Sequence, residues 1–240
     1  MNIYKDITKL HREHKDDLDR TAIIIGGTGA TGQQLTKQLL DKNNWKRVTT
    51  ISRKPVLNGQ SHEKLNDIVI ESLHDMSFIK EEFKNHSVFF NCIGTTRKRA
   101  GGAKQFTDVE VGISSKAAKI ASEMKIPHAS LISAIGANDR QWSINFIHPL
   151  LYIKTMGEKE QTLIKNNFQR ISIFRPGMLI REVKDKNKIK NILHKQGIGL
   201  YIDILANAMI RDAESNIISK PNKIAVVYAG NNCIKKSAFL

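Results

Sequence analysis

The sequence predicts an α/β fold: one domain built on a doubly wound parallel sheet with helices on both faces. Three observations carry this. Short apolar runs alternate with helical patterns along the 240 residues. Those runs do not alternate polar with apolar residues, as expected of strands buried on both sides. The first run, residues 22–25, passes through a glycine-rich turn straight into a helical segment.

The first strand reads Ala-Ile-Ile-Ile and is followed by Gly26, Gly27, Thr28, Gly29, Ala30, Thr31 and Gly32. Gly27, Gly29 and Gly32 fit G-x-G-x-x-G; Gly26, Gly29 and Gly32 fit the related G-x-x-G-x-x-G. A helix over 30–40 opens at once. Missing side chains let a pyrophosphate approach the backbone, and the free N–H groups at the positive end of the helix dipole receive it. The second strand, 48–51, ends at Ser52, twenty residues after Gly32. An acid at that strand end accepts hydrogen bonds from the adenosine ribose and selects NAD. Here the residues are Ser52, Arg53 and Lys54, which suit a 2′-phosphate, so NADP(H) is expected in preference to NAD(H). Further strands are expected at 68–70, 88–93, 129–133, 171–174 and 224–228, and helices at 78–84, 111–124, 151–165 and 202–212. Residues 136–149 read as a loop and 181–199 as a polar, basic, irregular stretch. In the N-terminal 1–20, Ile3, Ile7 and Leu10 recur at helical spacing and predict a short polar helix packed on the 21–240 domain.

Lys and Arg number 38 against 23 Asp and Glu, a formal charge of +15, with clusters at 97–99 and 181–195. This describes a solvated basic surface and leaves an acidic protein partner open. No aromatic–basic stacking pattern accompanies it, which speaks against nucleic acid. Cys92 and Cys233 are the only cysteines; Cys92 falls in an apolar run and reads as a buried thiol, and no Cys/His metal spacing occurs. No apolar run is long enough to span a bilayer. The N-terminus lacks a secretory apolar core, and its acids (Asp6, Glu13, Asp16, Asp17, Asp19) oppose a transit peptide, so a cytoplasmic location is expected.

Several motifs then line up with one group: 26–32; Ser52-Arg53-Lys54; Cys92-Ile93-Gly94-Thr95-Thr96-Arg97 with Ala100-Gly101; Ser133 with Gly136-Ala137; Tyr152 with Gly157-Glu158; and Phe174-Arg175-Pro176-Gly177. On these residues the chain resembles the atypical short-chain dehydrogenase/reductase superfamily, in particular the Tat-interactive-protein-2-like oxidoreductases. The resemblance implies a Rossmann-type fold with a seven- or eight-stranded sheet and an NADP(H) site. Residues 28–31 would meet the pyrophosphate and Arg53 and Lys54 the 2′-phosphate. Ile93, Gly94 and Thr95 would pass beneath the cofactor. The segment after Pro176-Gly177, with Leu179 and Arg181, would border the nicotinamide end beside Tyr152.

In this superfamily a tyrosine works with a lysine four residues later, and a serine on the preceding strand orients the substrate oxygen. Here Tyr152 is followed at that distance by Met156. Lys154 lies on the far side of a helix, and Lys159 is about two turns, roughly 10 Å, along the axis. Of the family's paired strand-end serines, Ser133 remains and Ala134 follows it. The longer connection to Tyr152 carries Trp142, Phe146, His148 and Pro149 as a lid or substrate wall, with His148 an alternative proton donor. A tyrosine of ordinary pKa, about 10, is almost wholly the neutral phenol at pH 7, the form that carbonyl reduction needs. The expectation is therefore an NADPH-dependent reductase of a small carbonyl substrate, with Tyr152 as proton donor and Ser133 orienting the oxygen. The alternative is a non-catalytic NADP(H)-binding regulatory or scaffold protein.

Overall fold

The computed structural model describes residues 19–143, 147–181, 188–215 and 223–239. The expected helix within 1–20 and Phe146 lie outside them, apart from Asp19 and Arg20. Seven strands form the main sheet: β1 (Arg20–Ile25), β2 (Trp45–Ser52), β3 (Leu65–Val69), β4 (Val88–Asn91), β5 (His128–Ile132), β6 (Arg170–Arg175) and β9 (Ile224–Ala229). Their order is β3-β2-β1-β4-β5-β6-β9, and every pairing is parallel. A second, two-stranded sheet pairs β7 (Met178–Ile180) with β8 (Gly199–Tyr201).

The apolar run of β1 shows why this sheet is covered twice. Successive side chains of a strand point to opposite faces. Ala22 and Ile24 enter one core cluster, which also holds Leu35 and Leu39 of α1 (Ala30–Leu40). The same cluster takes Leu205 and Met209 of α7 (Ile202–Glu214) and Ile234 of α8 (Asn231–Phe239). Ile23 and Ile25 enter the other cluster, with Ala117 and Ala121 of α4 (Ser114–Glu123) and Leu163 of α5 (His148–Ile164). The chain thus folds as the doubly wound parallel architecture its pattern predicts.

Two local expectations are corrected. The stretch 181–199 is not irregular throughout, since it contains α6 (Lys188–Lys195) and leads into β8. The connection after β5 is shorter than expected: α5 begins at His148, with Pro149 in its first turn, where a missing N–H breaks no intrahelical bond. The basic triplet 97–99 lies in a one-turn helix, α2 (Arg97–Ala100). Thr96 caps α2 by accepting from the Arg99 N–H, and Gly101 closes it at φ +92°. α3 (Ala103–Thr107) then runs through a π-helical stretch, Asp108–Ile113, into α4.

Asn231 ties the C-terminal helix to the rest. Its side-chain N–H groups donate to the carbonyls of Gly197 (3.1 Å) and Ile198 (2.7 Å), and its oxygen accepts from the Gly177 N–H at 2.9 Å.

Candidate functional site

In an open parallel sheet a crevice forms where the strand order reverses, outside the carboxyl ends of the strands. Here that point lies between β1 and β4. A cleft of about 760 Å³ opens there. Among the expected residues, Gly26, Thr28, Gly29, Ala30, Ser52, Arg53, Ile93, Gly94, Thr95 and Arg181 line it.

The glycine turn adopts the second of the two patterns. Gly26 takes φ +80°, and a Cβ there would lie 2.7 Å from the Cys92 backbone carbon. A Cβ on Gly32 would lie 2.3 Å from the Gly26 carbonyl oxygen. Gly26 and Gly32 therefore allow β1, the turn and α1 to close on β4. The first turn of α1 has no side-chain cap and no acid, so its N–H groups and positive dipole end face the cleft uncompensated. Ser52, at the end of β2, is buried, and its Oγ has no protein partner. The cleft lining contains three cations, Arg53, Arg99 and Arg181, and one acid, Glu71, which follows β3 and not β2.

Gly27, Thr31, Gly32, Lys54, Tyr152, Pro176 and Leu179 do not line this cleft. Thr31 is buried, and Gly32 is turned against the strand exit. Pro176 is also buried, and its carbonyl accepts from the Ile135 N–H at 2.9 Å. Leu179 packs on the core cluster beneath α7. Pro176 and Leu179 thus lie outside the lining, while Arg181, which follows them, is part of it. Residues from the end of β3 complete the lining (Ser72, Leu73 and His74 beside Glu71), as do Gln33, Gln34 and Ile202. Sequence reasoning missed them, although the strand-end rule applied to β3 points to residues 70–74.

The floor of the cleft rests on a buried ion pair. Lys159 Nζ donates to the Ile93 carbonyl at 2.6 Å and to Glu110 Oε2 at 2.9 Å, and Glu110 Oε1 accepts the Thr95 N–H at 2.7 Å. Both side chains are almost fully buried. Glu110 comes from the π-helical stretch, a geometry that recurs at functional sites. The Lys159–Glu110 pair thus grips the segment Ile93-Gly94-Thr95 that leaves β4. Cys92 beside it is a buried thiol as expected, its pKa pushed up to about 12 by burial, which outweighs the opposing effect of Lys159.

Met156 is buried in a small apolar cluster with Phe106, Ala134, Ala137 and Leu151, and Tyr152 packs against it. Tyr152 is half-buried between the Phe106 ring, stacked at 6.1 Å, and the His148 ring at 6.2 Å. Burial raises its pKa, and the Glu110 carboxylate raises it further. Ser133 is buried, and its hydroxyl donates to Glu160 Oε1 at 2.6 Å. Glu160 in turn takes a two-pronged contact from Arg175, at 2.7 and 2.6 Å. The Ser133 hydrogen is thereby committed to a carboxylate, and a substrate oxygen would have to displace it. Gly157 lies under the loop after β5: a Cβ there would be 2.1 Å from the Asp139 nitrogen, and the Asn138 N–H donates to the Ile153 carbonyl at 3.1 Å.

The sequence profile of the NAD(P)H-binding family matches residues 26–199. The chain belongs to this family. Within it, the chain is of the atypical short-chain dehydrogenase/reductase type, with relatives that include Tat-interactive protein 2. It is 35% identical over 179 residues to the protein named "FMP52, mitochondrial" of Debaryomyces hansenii, covering 74% of this chain and 75% of the relative. It is 31% identical over 175 residues to HTATIP2 of Rattus norvegicus, covering 72% and 68%. Among solved structures, this NAD(P)H-binding chain superposes on MoeE5 in complex with UDP-glucose and NAD with TM-score 0.63 at 11% identity, covering 89% of this chain and 79% of that one. The oxidoreductase YlbE from Lactococcus lactis gives TM-score 0.63 at 15% identity, covering 91% and 94%.

The expected cytoplasmic location is corrected by these relatives. The FMP52 proteins of Debaryomyces hansenii and Candida albicans, and FMP52-1 of Scheffersomyces stipitis, are named mitochondrial. Unpaired cysteines report on redox state and not on address, and an N-terminus of mixed charge argues against only one type of import signal. Among the described residues no helix is long and apolar enough to cross a membrane.

Proposed function

We propose that this NAD(P)H-binding protein is an NADPH-dependent reductase of small carbonyl compounds. The observation that carries the reading is Tyr152: burial and the Glu110 carboxylate both raise its pKa, and no cation opposes them. That environment keeps the side chain as the neutral phenol, which can donate a proton although more weakly than an ordinary tyrosine, and makes it a still poorer base for the reverse reaction, so reduction is the direction it favours. A reduced nicotinamide, when bound, supplies hydride to the carbonyl carbon. Tyr152 Oη gives its proton to the carbonyl oxygen, completing the alcohol. Ser133 supports that oxygen once its hydroxyl turns away from Glu160, and the neighbouring His148 is the alternative donor.

The residues of the cleft fit the dinucleotide. The Gly26–Gly29–Gly32 cradle is one that a Cβ would fill, and the uncapped start of α1, with Thr28 to Thr31, suits a pyrophosphate. The unpartnered Ser52 hydroxyl, Arg53 and the exposed Lys54 support the preference for NADP(H), since no acid follows β2 to receive ribose hydroxyls. Arg181 borders the other end.

A second reading is favoured by Met156 and by the Glu160 contact of Ser133: an NADP(H)-binding regulatory or scaffold protein without turnover. Fluorescence titration with NADPH and NADH, followed by single-turnover oxidation of NADPH against an aldehyde panel, separates the two. NADPH-selective binding with turnover that disappears in Tyr152→Phe supports the reductase. Binding without turnover, in wild type and in Met156→Lys alike, establishes the second reading. Tighter binding of NADH overturns the cofactor assignment.

A further inference from the structure

A second opening lies beside Tyr152. It is a groove of about 640 Å³ lined by Thr96, Arg97, Lys98, Gly101, Gly102 and His148. We propose that this groove seats an anionic group, a carboxylate or phosphate, on the substrate, so that the protein acts on carbonyl compounds with an acidic end and a flat apolar body. The proposal rests on the reductase reading for which molecule is turned over, but not for what the groove binds.

Three features point to an acidic ligand. First, no carboxylate pairs with Arg97 or Lys98 among the described residues. The acids of the following segment are already engaged, Asp108 by His74 at 3.5 Å and Glu110 by Lys159. Two uncompensated cations, one of them a planar fork, on the wall of one groove suit a carboxylate or a phosphate. Second, α2 divides its cations between two openings. Arg99 lines the dinucleotide cleft, whereas Arg97 and Lys98 line the groove. The two anion-attracting walls are therefore adjacent but separate, as a cofactor and a substrate would need. Third, the groove has one flat ring, His148, on its side and space above Gly101. His148 lies 5.9 Å from Phe106 and 6.2 Å from Tyr152, ring centre to ring centre, so the wall of the groove continues into the aromatic packing around the proposed proton donor. A Cβ on Gly101 would meet nothing within 4 Å, so the backbone there leaves room for a planar group.

The test compares 4-carboxybenzaldehyde with its methyl ester, which share shape and aldehyde but differ in charge. 4-Formylphenyl phosphate distinguishes phosphate from carboxylate. Binding is measured by calorimetry on the protein alone and on the protein loaded with NADP⁺, where no reduction can occur. The expected result is that the carboxylate or the phosphate binds at least about tenfold more tightly than the ester. That preference weakens in high salt, and it is lost in Arg97→Gln/Lys98→Gln while NADPH affinity is kept. Equal affinities, a preference that survives the double substitution, or no detectable binding of either anion overturns the proposal. Anion-selective binding with no NADPH oxidation would instead overturn the reductase reading and leave the groove assignment standing.

Discussion

Replacing Lys159 by methionine removes the cation of the buried pair and keeps most of the side-chain volume. The variant loses the 2.6 Å bond to the Ile93 carbonyl and leaves Glu110 buried against Thr95 without its partner. Breaking a buried pair on one side costs about 3–5 kcal/mol. A stranded carboxylate escapes by taking up a proton, which for an ordinary glutamate costs about 3.7 kcal/mol at pH 7 and about 1.6 kcal/mol at pH 5.5. That escape caps the charge penalty and makes it depend on pH. Lys159→Met should therefore be less stable than wild type by roughly 3–4 kcal/mol at pH 7, with about 2 kcal/mol of the loss recovered at pH 5.5. Glu110→Gln/Lys159→Met, which removes both charges, should be less impaired at pH 7 than Lys159→Met alone. Urea denaturation of the three proteins at both pH values reads this out. A Lys159→Met penalty that is the same at pH 7 and pH 5.5, or a double variant no better than the single one, would refute the reasoning. NADPH affinity should fall with the single substitution, because the strand under the cleft loses its anchor.

Four other outcomes are expected. Gly157→Ala drives a Cβ into the Asp139 backbone and should cost about 1–3 kcal/mol in urea denaturation; a neutral effect would mean that the loop after β5 is free to lift. His86 and His128 are buried, with pKa values lowered to about 4 and about 3, chiefly by burial. The folded state then binds fewer protons than the unfolded chain below pH 6.5, so stability is full above that pH and falls on the way to pH 4. A pH series of urea midpoints checks this, and His86→Gln should flatten the slope. Arg53→Ala/Lys54→Ala should weaken NADPH by about tenfold or more and leave NADH nearly unchanged; an equal loss for both would remove these residues from cofactor choice. Reduction by wild type should show no loss from tyrosine ionisation up to about pH 9, since the Tyr152 pKa lies above the ordinary value near 10.

The sheet was legible because its signal is local. Six of the seven strands of the main sheet coincide with apolar runs, β3 overlaps its expected run only at Ile68 and Val69, and α1 follows the glycine turn at the expected residues. Which glycine turns the chain was not legible, because both patterns share Gly29 and Gly32, and only the closeness of Cys92 to Gly26 decides. The short elements β7, β8 and α2 carry too few residues for a period to show. The buried pair left a trace that was there to be read. Lys159 interrupts the apolar stripe Tyr152, Met156, Leu163, and Glu110 interrupts Phe106, Ile113, Ala117. A charge on the core face of each of two helices is costly unless they meet. Nothing in either helix alone says that they do, since that depends on both packing side by side on one face of the sheet. The commitment of Ser133 to Glu160 is likewise set by tertiary geometry, twenty-seven residues apart in the chain.

The Asn231 side chain uses both donors and its oxygen on three backbone groups from segments 33 to 54 residues earlier in the chain. The strand that leads to Arg181 at the cleft rim is held at Gly177 by α8, at Pro176 by the Ile135 N–H and along its length by β8. That edge of the cleft therefore rests in part on a contact with the last helix, whereas the glycine turn rests on β1, β2 and β4. A ligand that touches this edge is thereby linked to the docking of α8, and its binding should raise the stability of that helix.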